Sequence, residues 1–226
     1  MVTVTTSGLA MTACMQAIKT DLNLSIVTMQ WLIIGYTIFC ASFIAIAGQL
    51  GDVLGHENTF ISGLIINIIA SILMSIGSDI SIIMIGTVLR GTGLALLIPS
   101  SMALIKTTIP KEKISKSLMI WGISISIGFS IGPLLGGLFA SVNWRMLFWI
   151  NLFLFILSFL IIIIYKSQII TIKERKPVDF IGSILLFLAL VSLILLLSEG
   201  PFWGWTSPMN ISLYAVCPIF LIMFLN

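Results

Sequence analysis

Long apolar runs, broken by short polar connections, recur along the whole chain. An α-helix rises 1.5 Å per residue, so about 20 apolar residues cross the ~30 Å hydrocarbon core of a bilayer. On that measure the pattern predicts membrane-spanning helices near 27–49, 58–77, 81–105, 115–140, 146–165 and 178–198. Incomplete runs flank them. Residues 1–18 are threonine-rich and lack a basic flank, so they read as a first helix missing its beginning and not as a signal peptide. Residues 210–226 run to Phe224, Leu225 and Asn226 without a basic anchor, and read as a last helix cut short. The expectation is an all-α integral membrane protein, a transmembrane helix bundle of about 7–8 spans.

Composition agrees, because 59% of the 226 residues are hydrophobic and only 8% are charged, against roughly 25% charge in soluble domains. Mean hydropathy is +1.20. The basic residues separate by connection. Lys106, Lys111, Lys113 and Lys116 follow one span and Lys166, Lys173, Arg175 and Lys176 follow another, while the alternate connections hold only Lys19 and Arg145. Lysine and arginine near span ends favour the cytoplasmic side, so the connections at 48–57, 106–117 and 166–177 are expected to be cytoplasmic. The net charge of +3 is then a topology signal and not a nucleic-acid patch.

Little in the chain fits catalysis. Cys14, Cys40 and Cys217 lie in apolar segments without paired spacing, and His56 is the only histidine. No G-x-x-x-x-G-K phosphate loop is present, so neither metal or cofactor binding nor ATP-driven pumping is expected, and the chain is not read as an enzyme. Three other features carry the argument. The first is G-Q-L-G-D-V-L-G from Gly48 to Gly55, a glycine-rich polar turn between two spans. Its acid, Asp52, either belongs to a gate or caps the next helix. The second is Arg90, about ten residues, or ~15 Å, from either end of its apolar run. A guanidinium at that depth faces a bundle interior or a wet cavity. It serves a transport pathway, or it pairs with carbonyls or a polar neighbour such as Asn67 or Asn151; no acid within the spans offers itself. The third is Ser124, Gly128, Gly132, Gly136 and Ala140, one face of a helix, with Pro133 inside the run and Gly137 beside it. Such a face lets another helix approach closely, and Pro133 adds a place to bend.

These residues carry a resemblance. Gly48–Glu57 resembles the G-x-L-x-D-x-x-G signature, with its following basic residues, between the second and third helices of the major facilitator superfamily. Ile127–Gly137, I-G-F-S-I-G-P-L-L-G-G, resembles the superfamily's fifth-helix antiporter motif. Further matches are Gln30, Trp31 and Tyr36; Pro99 and Ser100; and Trp144, Arg145, Phe148 and Asn151. With the span after the sixth helix and the Ser198–Trp205 run, the chain is similar to the amino-terminal half of the fourteen-span drug:proton antiporters.

The resemblance implies a major facilitator bundle, incomplete relative to the family: a six-helix unit over 1–165, a basic cytoplasmic loop over 166–177 and additional linker spans over 178–226. It implies that Gly48, Gly51, Asp52 and Gly55 form a cytoplasmic gate turn, and that Gly128, Gly132, Pro133, Gly136 and Gly137 form the antiporter helix. Arg90 stands where the family has glutamine, one turn from its arginine position at Thr87, which implies a displaced coupling charge. Val53, His56 and Glu57 replace basic residues of the gate, leaving that network without its usual cations, and Ser7 and Gln16 replace an aspartate and a proline. The implied activity is proton-linked efflux of a small molecule, a lipophilic drug or cation, by alternating access in a cell membrane. A second chain or an oligomer would complete the cavity; otherwise the chain is a fragment that inserts without transporting.

Overall fold

The structure, a computed structural model, describes residues 1–165 and 179–225. Among the described residues every regular element is a helix. α1 (Val2–Ala13) and α2 (Met15–Asp21) run almost as one, because Cys14 between them keeps a right-handed helical backbone. α3 (Ile26–Leu54) starts at Ser25, whose side chain accepts from the Thr28 N–H. α4 (His56–Ile76), α5 (Ile80–Thr108), α6 (Lys111–Val142) and α7 (Arg145–Tyr165) follow with short connections. Asp79 and Asp179 cap α5 and α8 (Phe180–Trp203) by accepting from Ser81 N–H and Gly182 N–H, and α9 (Pro208–Leu225) ends the described chain. The helices α3 to α8 are long and apolar enough to cross a membrane, while α9 is a shorter apolar helix. Among the described residues these are six spans, to which α1, α2 and α9 add shorter helices. The basic residues Lys166, Lys173, Arg175 and Lys176 lie outside the described residues.

One boundary differs from expectation. The glycine-rich stretch from Gly48 is not a turn but the last two turns of α3, which continues to Leu54. The chain reverses at Gly55 alone, at φ +94°, a left-handed backbone that costs glycine little. A glycine inside a helix costs only about 1 kcal/mol relative to alanine, too little to end one supported by neighbours on both sides.

Packing around α5 organises the bundle. α5 runs parallel to α3 and antiparallel to α4, and its glycines set the spacing to both. A Cβ on Gly91 would lie 2.6 Å from the Tyr36 carbonyl oxygen on α3, and one on Gly93 would lie 3.1 Å from the Gly63 carbonyl oxygen on α4. Lipid is as apolar as leucine, so close backbone approach, more than hydrophobic burial, holds membrane helices together. Two apolar clusters fill the interior. One gathers Cys14, Ile18, Met29, Met74, Ile83, Leu147 and Phe148 toward the Arg145 end, and the other gathers Val4, Leu64, Leu94, Leu97 and Phe155 toward the Gly55 end. The outer faces carry large side chains such as Leu134, Ile164 and Ile181, exposed as lipid contact requires.

α8 is fastened along α3. Ser183 Oγ lies 3.2 Å from Gln49 Oε1 at one end, and Gln30 Nε2 donates to the Ser198 carbonyl at the other. Between them Phe187 meets Phe39 and Phe43 edge-on, with centroids 6.3 and 5.5 Å away.

Candidate functional site

Arg90 sits on α5 between the two apolar clusters and is 3% exposed. One of its terminal nitrogens donates to Ser7 Oγ and the other to Met11 Sδ at 2.9 Å. Ser7 and Met11 are four residues apart on α1 and therefore share a face. The Arg90 guanidinium carbon also lies 5.6 Å from the Tyr36 ring centroid and 5.3 Å from that of Phe148, so two π faces share in stabilising the charge. Neither asparagine considered from sequence is a partner. Asn67 donates to the Gly63 carbonyl at 2.8 Å, and Asn151 keeps a buried Nδ2 without a hydrogen-bond partner. Thr87, one turn before Arg90, donates to the Ile83 carbonyl.

Arg90 opens onto a cavity of about 360 Å³ between α1, α3, α5 and α6. Its walls include Leu9, Leu32, Ile33, Leu94, Ile98 and Phe129, with Thr5, Thr12 and Thr37 as scattered hydroxyls. Small-molecule sites are of this kind, mostly apolar with a few convergent polar groups, and they start at roughly 300 Å³.

The wall contributed by α6 is set by its glycine face. Gly128, Gly132 and Gly136 are buried against α1. A Cβ on Gly132 would lie 2.9 Å from the Thr6 carbonyl oxygen, and one on Gly136 would lie 2.7 Å from Ala13 Cβ. The Cys14 thiol adds a hydrogen bond to the Gly136 carbonyl at 3.1 Å. Gly137 does not share this seam, since nothing lies within 4 Å of where its Cβ would be. Pro133 lies on the exposed side, inside a helix that continues through it to Val142. It removes the N–H that would have reached the Phe129 carbonyl.

At the Gly55 end, Gly51 and Asp52 stand in the last turn of α3. His56 Nε2 lies 3.3 Å from Asp52 Oδ1, and a Cβ on Gly51 would collide with the His56 ring. Asp52 does not cap α4, which has no side-chain cap. The sequence left this network without its usual cations; the structure puts the His56 imidazole against the acid. Gly48 has open space around it.

The opposite end holds a polar knot that sequence reasoning did not assemble. Arg145 bonds to Asp21 through one terminal nitrogen and donates to the Gly77 carbonyl at 3.0 Å through the other. Trp144 Nε1 donates to the same Asp21 oxygen at 3.2 Å, and the Arg145 guanidinium lies 4.3 Å from the Trp144 centroid. These bonds, first from Arg145 and then from Trp144, hold the Asp21 carboxyl below its usual range. The one available signal was an acid and a basic residue, each beside a tryptophan or helix end, on the same sparsely charged side.

The chain is 30% identical over 190 residues to a tetracenomycin C resistance and export protein of Streptomyces glaucescens, covering 84% of this chain and 35% of that protein. It is 30% identical over 186 residues to the multidrug resistance protein Stp of Mycobacterium tuberculosis (81% and 34%), and 27% identical over 213 residues to a methylenomycin A resistance protein of Bacillus subtilis (93% and 45%). The chain thus spans about a third to a half of the length of these relatives. A mutant peptide transporter POT in complex with sulfate superimposes with a TM-score of 0.68 at 16% identity, over 98% of this chain and 50% of that one. The POT family transporter PepTSo gives 0.68 at 14% identity, over 99% and 51%. These structures share the fold. The match to the Major Facilitator Superfamily runs over residues 1–226, and the chain belongs to that superfamily.

Proposed function

We propose that this chain forms the gate and antiporter half of a proton-linked exporter of small lipophilic molecules, working by alternating access in a cytoplasmic membrane. The observation that carries this reading is Arg90, a buried charge opening onto an apolar cavity between α1, α3, α5 and α6. Charges at membrane depth are kept for pathways and coupling. The resistance and export proteins to which the chain is similar point the same way. In this reading the α1–α6 seam at Gly128, Gly132 and Gly136 closes the cavity on one side, and Pro133 lets α6 flex against it. Gly48, Gly51, Asp52 and Gly55, with His56, form the cytoplasmic gate, and the 106–117 and 166–177 connections lie on its side of the membrane.

Alternating access places the substrate between two halves. The face of α6 turned from α1 carries exposed Leu134 and Leu138, a surface suited to a second half from another copy or another chain. Cells expressing the 226-residue chain, confirmed in the membrane, would be loaded with a fluorescent lipophilic dye. Efflux abolished by a proton uncoupler supports the proposal. Absence of efflux from inserted protein leaves a fold without the activity. Arg90→Ala is expected to abolish any efflux while the protein still inserts, and unchanged efflux would remove Arg90 from the mechanism.

A further inference from the structure

We propose that the Arg90 cavity takes an amphiphile with a single negative head group, a carboxylate or sulfonate, seated on the guanidinium with its apolar body against Leu94, Ile98 and Phe129. The inference rests on the transport reading above and names the substrate class of the same site.

Three observations carry it. First, the charge is only partly satisfied by protein. A guanidinium has five N–H donors, and the described residues accept from Arg90 through one hydroxyl, Ser7, and one thioether, Met11, a weak acceptor. Second, no carboxylate answers it. The ion pairs among the described residues are Asp52 with His56 and Asp21 with Arg145, at opposite ends of the bundle. Among the described residues, Arg90 is the only charged side chain lining the cavity, so a cationic ligand meets repulsion with no compensating acid. Third, the walls are apolar, which raises the value of one ion pair. Charges attract several-fold more strongly in a poorly polarisable site than in water, and a planar carboxylate or a sulfonate meets the guanidinium fork with two parallel hydrogen bonds. The sequence suggested a lipophilic drug or cation; the assignment instead names anionic amphiphiles.

The test uses the chain in nanodiscs of phosphatidylcholine, with three naphthalenes of similar size as probes: the sulfonate, the neutral sulfonamide and the methylammonium. Binding is measured by equilibrium dialysis against empty nanodiscs. The expected order is sulfonate tightest, about tenfold or more over the sulfonamide, with the ammonium weakest. Arg90→Gln should reduce sulfonate binding to the level of the sulfonamide. Ser7→Asp provides a second variant that keeps the guanidinium and gives it a fixed carboxylate, so it should erase the preference in a protein whose charge is paired. Equal binding of sulfonate and sulfonamide, preference for the ammonium, or a sulfonate preference surviving Ser7→Asp would each overturn the anion assignment. In the first two cases the cavity remains a substrate site and the transport reading stands. Binding of none of the three, together with no dye efflux, would overturn both.

Discussion

The two ends of this bundle are held in different ways. At the Arg145 end, Arg145, Trp144, Asp21 and the Gly77 carbonyl join the starts and ends of α2, α4 and α7, segments far apart in sequence. At the Gly55 end, Asp52 meets His56, four residues apart and with the Asp52 side chain 51% exposed, and Ser183 of α8 donates to Gln49 of α3. The Arg145 knot gathers three helices around one carboxylate and one carbonyl, whereas the Asp52–His56 contact links only the two helices that Gly55 already joins. On the proposed gate reading, opening at the Gly55 end would break a contact local in sequence, which costs little to break and restores itself quickly. The α1–α6 seam carries the same contrast. Near the Arg145 end it adds the Cys14 bond to Gly136, whereas at the other end Gly128 meets Val2 and Thr5 beside the start of the described chain.

The comparison can be broken first at the seam. Gly136→Leu pushes a side chain into Ala13 and the Ala10 backbone, and overpacking of this kind costs about 1–3 kcal/mol. Gly137→Leu enters open space and should cost almost nothing. Thermal unfolding of both in detergent checks the pair, and equal melting temperatures would mean that α6 does not lean on α1. Next comes Arg145→Ala. It removes a partly exposed ion pair and the bond to the Gly77 carbonyl, together about 1–2 kcal/mol. Asp52→Asn at the other end should lower stability by less than ~0.5 kcal/mol while altering efflux. If the two variants destabilise alike, the ends are equivalent and the comparison fails.

The smallest effect is in pH. Arg145 and Trp144 hold the Asp21 carboxyl below its ordinary value, so the stabilisation is in place above the usual carboxylate pKa near ~3.9 and is lost as pH falls through the lower folded value. Screened at a half-exposed site, it amounts to a fraction of 1 kcal/mol. The melting-temperature gap between wild type and Arg145→Ala should therefore hold from pH 7 to 5 and narrow below about pH 4. A gap independent of pH would assign the contribution of Arg145 to the Gly77 carbonyl alone.

Spans were legible because bilayer thickness imposes a length that apolar runs display directly, and the α6 seam was legible because a helix repeats its face every fourth residue. The end of α3 was misread because glycine and a charge look like a turn on paper, while a helix flanked by neighbours tolerates both. Arg90 announced itself as a charge in an apolar run, but Ser7 and Met11 lie 83 and 79 residues away, and nothing local marks a serine and a methionine as its acceptors. The Asp21–Arg145 knot was hidden for the same reason: it spans 124 residues, and charge counting by connection saw only that Arg145 was on the poorer side.

The attachment of α8 to α3 bears on how the molecule would transmit force. A strut pinned at both tips by Gln49 and Gln30, and wedged at its middle by Phe187 between Phe39 and Phe43, can neither slide nor swing against its support. α3 carries Tyr36 beside the cavity and Asp52 at its far end, so on the proposed gate reading a tilt of α3 would drag α8 through the surrounding lipid as ballast. The viscosity and thickness of the bilayer would then enter the rate of such a motion through a helix that lines no part of the cavity.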